Sequence, residues 1–417
     1  MRPSRQMIIL VCVFAFALLA LIPGLTSAQQ GAASVASIKP QNLALNAGVV
    51  AFLVDQDAAP VTAAIRQLGV SWLKQVIEWR GFEPVKGEID FTSLDTAIEA
   101  AHNQGLRILL TVSTAPDWAR SSTSEDGPPD NYADYGVFVG ALAQRYAGKV
   151  QAYEIWSEPN LRREWNSAVH PLGASSYLEL LRVGYAAIKQ ADPAAIVVSA
   201  GLAPTGFNDS INALNDRDYL RDMYTSGLAS ASDAIGAHPK GWANPPDALC
   251  CIPPVGVETH YEHPSFYFLN TLNDYRQIMQ DNGDSSTQIW VTDFGWGTSE
   301  DTAPPSSMHV FVSYTDLDEQ AMYVPRGFEL GQELGFVGPM FLDNLNGCQA
   351  NQRAVDSCYY SLIGPDGAPR PVFAAVANLL LAGAATSQSA PVDQSLQPTM
   401  SPELSPEVTA ESPAPSG

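Results

Sequence analysis

Two acidic residues, Glu158 and Asp293, each close a short run of strand-forming residues. The first run is Val150-Gln151-Ala152-Tyr153-Glu154-Ile155-Trp156-Ser157-Glu158-Pro159-Asn160, and it ends where Pro159 cannot donate to a sheet ladder. The second is Ile289-Trp290-Val291-Thr292-Asp293-Phe294-Gly295-Trp296. In an α/β barrel the C-terminal lip of a strand is where chemistry is done, because the βα loops converge there over a packed core. Two carboxyls meeting across such a mouth suit hydrolysis of a glycosidic bond, one protonating the leaving oxygen and the other facing the oxocarbenium-like carbon. Their surroundings must differ, since the acid needs a raised pKa while its partner stays ionised.

The elements around these two runs repeat as short apolar strand, loop and amphipathic helix. Strands are expected at residues 49–54, 71–78, 107–112, 150–156, 195–199, 234–238, 288–293 and 336–342. Helices are expected at 59–68, 94–104, 135–146, 175–190, 217–226, 265–280, 316–333 and 372–381. Eight βα units in one domain predict a parallel, closed (β/α)8 TIM barrel of the α/β class. A doubly wound open sheet is the competing arrangement, but no glycine-rich phosphate loop follows the first strand. No internal sequence repeat is evident.

An apolar content of 46% supports a substantial core. The net charge of -22 argues against nucleic acid or an acidic membrane face as a partner and leaves room for a neutral ligand such as carbohydrate. Arg2 and Arg5 precede an apolar run from Met7 to Ile22 and a small-residue exit at Thr26-Ser27-Ala28. Residues 1–28 therefore resemble a signal peptide, predicting a secreted or cell-surface protein, with a retained membrane anchor as the alternative. Residues 29–41 read as a flexible segment, 42–385 as the barrel and 386–417 as a disordered Pro/Ser/Thr/Glu tail. Cys12 would leave with the leader. Cys250, Cys251, Cys348 and Cys358 remain for disulfides in an oxidising compartment, with three pairings open and no CxxC spacing for zinc.

Six indoles, Trp79, Trp118, Trp156, Trp165, Trp242 and Trp296, fall at or just past expected strand ends, as aromatic platforms for sugar rings or as packing. His238 is a candidate hydrogen-bond donor at the sixth strand end, and Asp343 and Asn344 stand at the eighth. His260 and His263 lie in a proline-rich loop, where i,i+3 spacing does not converge on a metal, and no cofactor fingerprint is present.

The stretch Trp156-Ser157-Glu158-Pro159-Asn160 resembles the W-N-E-P-N signature of the retaining (β/α)8 glycosidase superfamily, which includes β-xylosidases and α-iduronidases. Trp79 to Phe91 resembles the W-x-x-x-E-P-x-x-G-x-x-D-[FW] loop of its xylosidase-like branch. Ile235-Gly236-Ala237-His238-Pro239 is similar to its sixth strand, and Trp290 to Trp296 to its W-V-T-E-F-G-W seventh. The segment Tyr360 to Pro371 is similar to the one that closes these barrels. The resemblance implies Glu158 as acid/base and Asp293 at the nucleophile position. Lys74, Ser157, Asn160 and Lys240 by their motif positions, and Trp79, Trp118, His238 and Trp296 by their places at strand ends, are the expected sugar contacts. The resemblance also exposes four departures: Asp293 for Glu, Ser157 for Asn, Lys74 for Arg and Lys240 for Tyr. An Asp carboxylate is retracted by about 1.5 Å, one carbon–carbon bond. That would open a retaining separation of about 5–5.5 Å to about 6.5–7 Å, the edge of the inverting range. Retaining hydrolysis, inverting hydrolysis and sugar binding without turnover all remain open; Lys74 and Lys240, if both lie near Asp293, would hold it ionised.

Overall fold

The computed structural model describes residues 43–54, 56–350 and 356–388. The expected leader with Cys12, the 29–41 segment and all but the start of the expected tail lie outside the described residues. Eight parallel strands form one sheet: β1 (Ala47–Val50), β2 (Trp72–Glu78), β3 (Arg107–Ser113), β4 (Ala152–Ile155), β5 (Ile196–Ser199), β6 (Ile235–Ala237), β7 (Ile289–Phe294) and β8 (Val337–Leu342). The order β5-β4-β3-β2-β1-β8-β7-β6 is closed by parallel bridges Val198 to Ala234 and Leu202 to Ala237, so β5 meets β6. Each strand leads to a helix: α1 (Ala58–Leu68), α2 (Thr92–Asn103), α3 (Tyr132–Arg145), α4 (Ala174–Ala191), α5 (Asp216–Thr225), α6 (Phe268–Asp281), α7 (Leu317–Leu334) and α8 (Pro371–Gln388). This is the (β/α)8 barrel expected from the alternation.

Local chemistry explains the boundaries. Asp57 caps α1 by accepting from the Ala59 N–H, and Gly69, at φ 82°, ends it in the left-handed region. Asp316 and Glu319 form a reciprocal capping box at the start of α7. Asn131 caps α3, so that helix begins at Tyr132, three residues ahead of the expected start. Strand β1 also begins earlier than expected, because Gly48 weakens the sequence signal for a strand. The glycine is there for space: a Cβ on it would stand 2.7 Å from the Phe341 ring. Helix α8 runs to Gln388, three residues past the expected domain end.

Alternation along the strands builds the barrel interior in layers. Val50, Trp72, Leu109, Ala152, Trp290 and Phe341 point inward as an apolar floor. Two residues further along their strands, Lys74, Thr111, Glu154 and Thr292 form a polar layer above it. The outward residues of the same strands, among them Tyr153, Ile155 and Val291, join the larger core between sheet and helices.

Candidate active site

The polar layer is a saturated buried ion pair. Lys74 Nζ lies 3.0 Å from Glu154 Oε2 and donates to the Thr292 carbonyl at 2.9 Å. Glu154 also accepts from the Thr111 hydroxyl at 2.5 Å, the Thr292 hydroxyl at 2.6 Å and the Gly201 N–H at 3.0 Å. Burial pushes the Glu154 carboxyl up, but the Lys74 and His238 charges and the two hydroxyl bonds hold it below its ordinary value. Of the two lysines that would hold Asp293 ionised if they lay near it, Lys74 does not take that place: it is tied to Glu154 and to the backbone one residue before Asp293.

Above this layer the chain turns sharply at the end of β4. Trp156 and Glu158 both adopt left-handed φ, 74° and 48°, and a non-glycine residue there costs about 1–3 kcal/mol. The turn is pinned by Trp156 N–H to the Val112 carbonyl at 3.0 Å and Glu158 N–H to the Gly201 carbonyl at 2.9 Å. Its result is a Glu158 side chain aimed at the mouth and 16% exposed. His238 Nδ1 donates to Glu158 Oε1 at 3.0 Å, and Arg163 stands 3.4 Å from Oε2. Burial pushes the Glu158 carboxyl up, yet the His238 bond and charge, with Arg163 and Lys240, outweigh it and bring it down to about 2. Arg163 also binds Glu164 at 3.1 Å, whose carboxyl burial and the Glu158 charge push up to about 7.

Asp293 arrives from β7, which shifts register between Val291 and Phe294. Such an irregularity re-aims a side chain that strict alternation would send outward. Its carboxyl, 19% exposed, pairs with Lys240 Nζ at 3.4 Å, and its buried Oδ1 has no hydrogen-bond partner among the described residues. The same ammonium lies 3.3 Å from Asp343 Oδ2 and 4.7 Å from the centre of the Tyr360 ring. Burial disfavours the Lys240 charge, but Asp293, Asp343, Tyr360 and Glu158 together hold its pKa well above the ordinary lysine range. Burial and the Asp293 charge push Asp343 up in spite of Lys240 and Asn344. Lys240 thus acts on the carboxyls of β4, β7 and β8 at once.

The other expected sugar contacts divide. Ser157 is half-buried on the lip. Asn160 is buried and fully engaged, donating to the Ala203 and Leu214 carbonyls and accepting from the Ala203 N–H, so it braces the turn and has no group left for sugar. Trp79 and Trp296 are buried as well: Trp79 donates to Glu83 and stacks on Phe138, and Trp296 donates to the Asn244 carbonyl. Trp156 and Trp165 are core residues too. The indole rim reduces to Trp118 and Trp242, both half-buried, with Trp242 stacked on His260. His263 accepts from the Ser265 N–H as a turn cap. Glu154, Glu164 and the Lys240–Asp343 contact were missed from sequence, although the inward parity of Glu154, two residues past Ala152, marks it. The four cysteines pair as Cys250 with Cys251 and Cys348 with Cys358, the latter fastening the Tyr360 segment to the loop that follows β8.

A family model described as Beta-galactosidase, of glycoside hydrolase family 42, matches residues 55–133, from α1 to the start of α3. No curated protein sequence matches the chain. Among solved structures, the chain is similar to a family 39 glycoside hydrolase from Bacteroides cellulosilyticus, with 18% identity, TM-score 0.60 and coverage of 80% of this chain and 63% of that one. It is similar to a glucosidase from Croceicoccus marinus at 13% identity, TM-score 0.59, covering 83% of this chain and 68% of that one. It is also similar to xylanase 10B of Thermotoga maritima at 14% identity, TM-score 0.53, covering 82% of this chain and 97% of that one. The chain spans less than two thirds of the length of the first of these. What they share with it is the (β/α)8 barrel.

Proposed function

We propose that this protein is a glycoside hydrolase acting on an oligo- or polysaccharide, with Glu158 as proton donor and Asp293 as nucleophile or base. The observation that carries this reading is the pair of partly open carboxyls at the ends of β4 and β7, both within the field of Lys240. Glu158 gives its proton to the leaving oxygen as the glycosidic bond breaks. Asp293 either bonds to the anomeric carbon or takes a proton from the attacking water. At rest Glu158 is ionised, so its acid role requires substrate to displace Arg163 and exclude water, which raises a carboxyl pKa. Arg163, with its side chain 65% exposed, is free to move aside. The N-terminal apolar run and the paired cysteines support export to an oxidising, extracellular setting.

A second reading, sugar binding without turnover, draws on one observation: Glu158 is held at about 2, ionised where a general acid must carry a proton. Aryl glycosides of several sugars, offered to the parent and to Glu158→Gln and Asp293→Asn, separate the two. Turnover that both variants lose supports the hydrolase; binding by all three without turnover supports the binder. Faster turnover by Asp293→Glu would mark a retaining site weakened by the shorter side chain.

A further inference from the structure

We propose that Asp343 is a positioning residue that sets how firmly Lys240 holds Asp293. The proposal deepens the hydrolase reading and rests on it for the role of Asp293. One ammonium stands between two carboxylates at nearly equal range, 3.4 Å from Asp293 and 3.3 Å from Asp343. An ionised Asp343 draws Lys240 away from Asp293; a neutral Asp343 returns it. Among the described residues Asp293 Oδ1 has no hydrogen-bond partner, and Lys240 is the group that restrains this carboxylate. Loosening the ion pair leaves Asp293 better able to attack a carbon or a water proton.

The charged and titratable groups around Asp343 come from four elements. Asp293 faces it from β7 and Lys240 from the loop after β6. Asn344 donates to Asp343 Oδ1 at 3.1 Å, and Tyr360 lies beyond Lys240 on the disulfide-fastened segment. Glu158 acts through Lys240, and Asp356 through Tyr360. Burial and Asp293 keep Asp343 protonated to higher pH than an ordinary aspartate. The switch therefore lies at higher pH than the ionisation of an ordinary aspartate, with the loosened, active arrangement on its alkaline side.

Two measurements on the full chain test this. In the first, kcat for an aryl glycoside is followed against pH in the parent, Asp343→Asn and Asp343→Glu. The asparagine variant, a fixed neutral side chain, is expected to lose about tenfold in kcat, with KM little changed, and to lose the parent's acid limb. The glutamate variant keeps that limb. An asparagine variant with the parent's pH profile overturns the proposal. In the second, carboxyl 13C NMR follows Asp343 with and without Asp293→Asn. Its midpoint is expected to fall by about one pH unit or more once the neighbouring charge is removed. An unmoved midpoint overturns the shared-ammonium arrangement. A midpoint that falls in a protein that turns over no glycoside supports the positioning contact and overturns only the hydrolase reading.

Discussion

The barrel holds two lysine–carboxylate assemblies one above the other, and they are built differently. In the lower one Lys74 faces one carboxylate, Glu154, whose oxygens also take two hydroxyls and a backbone N–H. In the upper one Lys240 serves Asp293 and Asp343 together, and one Asp293 oxygen has no hydrogen-bond partner among the described residues. Saturation fixes geometry, whereas an undersupplied carboxylate is left with bonding capacity for a substrate. The lower pair locks the strands that aim the upper residues. His238 connects the levels, donating to Glu158 from Nδ1 with Nε2 standing 3.9 Å from Glu154.

The sharpest way to break this comparison is to unpair the lower assembly. Glu154→Ala leaves the Lys74 charge buried and is expected to cost about 3–5 kcal/mol in denaturant unfolding. A loss under about 1 kcal/mol would show that the layer is not structural. Next comes the pH dependence of the upper carboxylate. Glu158 has a lowered folded pKa, so its stabilisation is present above the ordinary carboxylate range and is lost as pH falls towards about 2. About 3 kcal/mol should disappear across that window in the parent and not in Glu158→Gln, as measured by unfolding at stepped pH. Lys240→Met is expected to cost less, about 1–3 kcal/mol, because the carboxyls it leaves are partly open to water. A cost equal to that of Glu154→Ala would erase the distinction between the two levels. The smallest effect is on Glu164, whose midpoint near 7 should move down in Glu158→Gln, since the Glu158 charge helps to raise it. A carboxyl 13C titration that finds the midpoint unmoved would detach Glu164 from the site.

The strand–helix alternation and the two acidic strand ends were legible in the sequence because each rests on local pattern. Period two and Pro159 define β4, and the run from Ile289 defines β7. The indoles show where local pattern stops: Trp79, Trp156, Trp165 and Trp296 stand just past strands, as platforms would, yet helices cover them. Whether an indole near a strand end meets solvent depends on the helix side chains that pack over it, and residue spacing does not carry that. Lys74 misled for a related reason. Its partner, the inward carboxylate Glu154, lies in the same apolar run as Glu158, where it reads as an ordinary strand residue. Asn160 misled because its motif neighbours do chemistry while it braces the turn.

The division of labour between Glu158 and Asp293 is tested most directly by leaving-group dependence in the two variants. A dinitrophenyl glycoside departs without a proton, whereas a phenyl glycoside needs one. Glu158→Gln should lose about 10²–10⁴-fold on the phenyl substrate and far less on the dinitrophenyl one, the signature of a missing general acid. Asp293→Asn should lose heavily on both. Equal losses by Glu158→Gln on the two substrates, or no hydrolysis of either by the parent, would contradict the assignment.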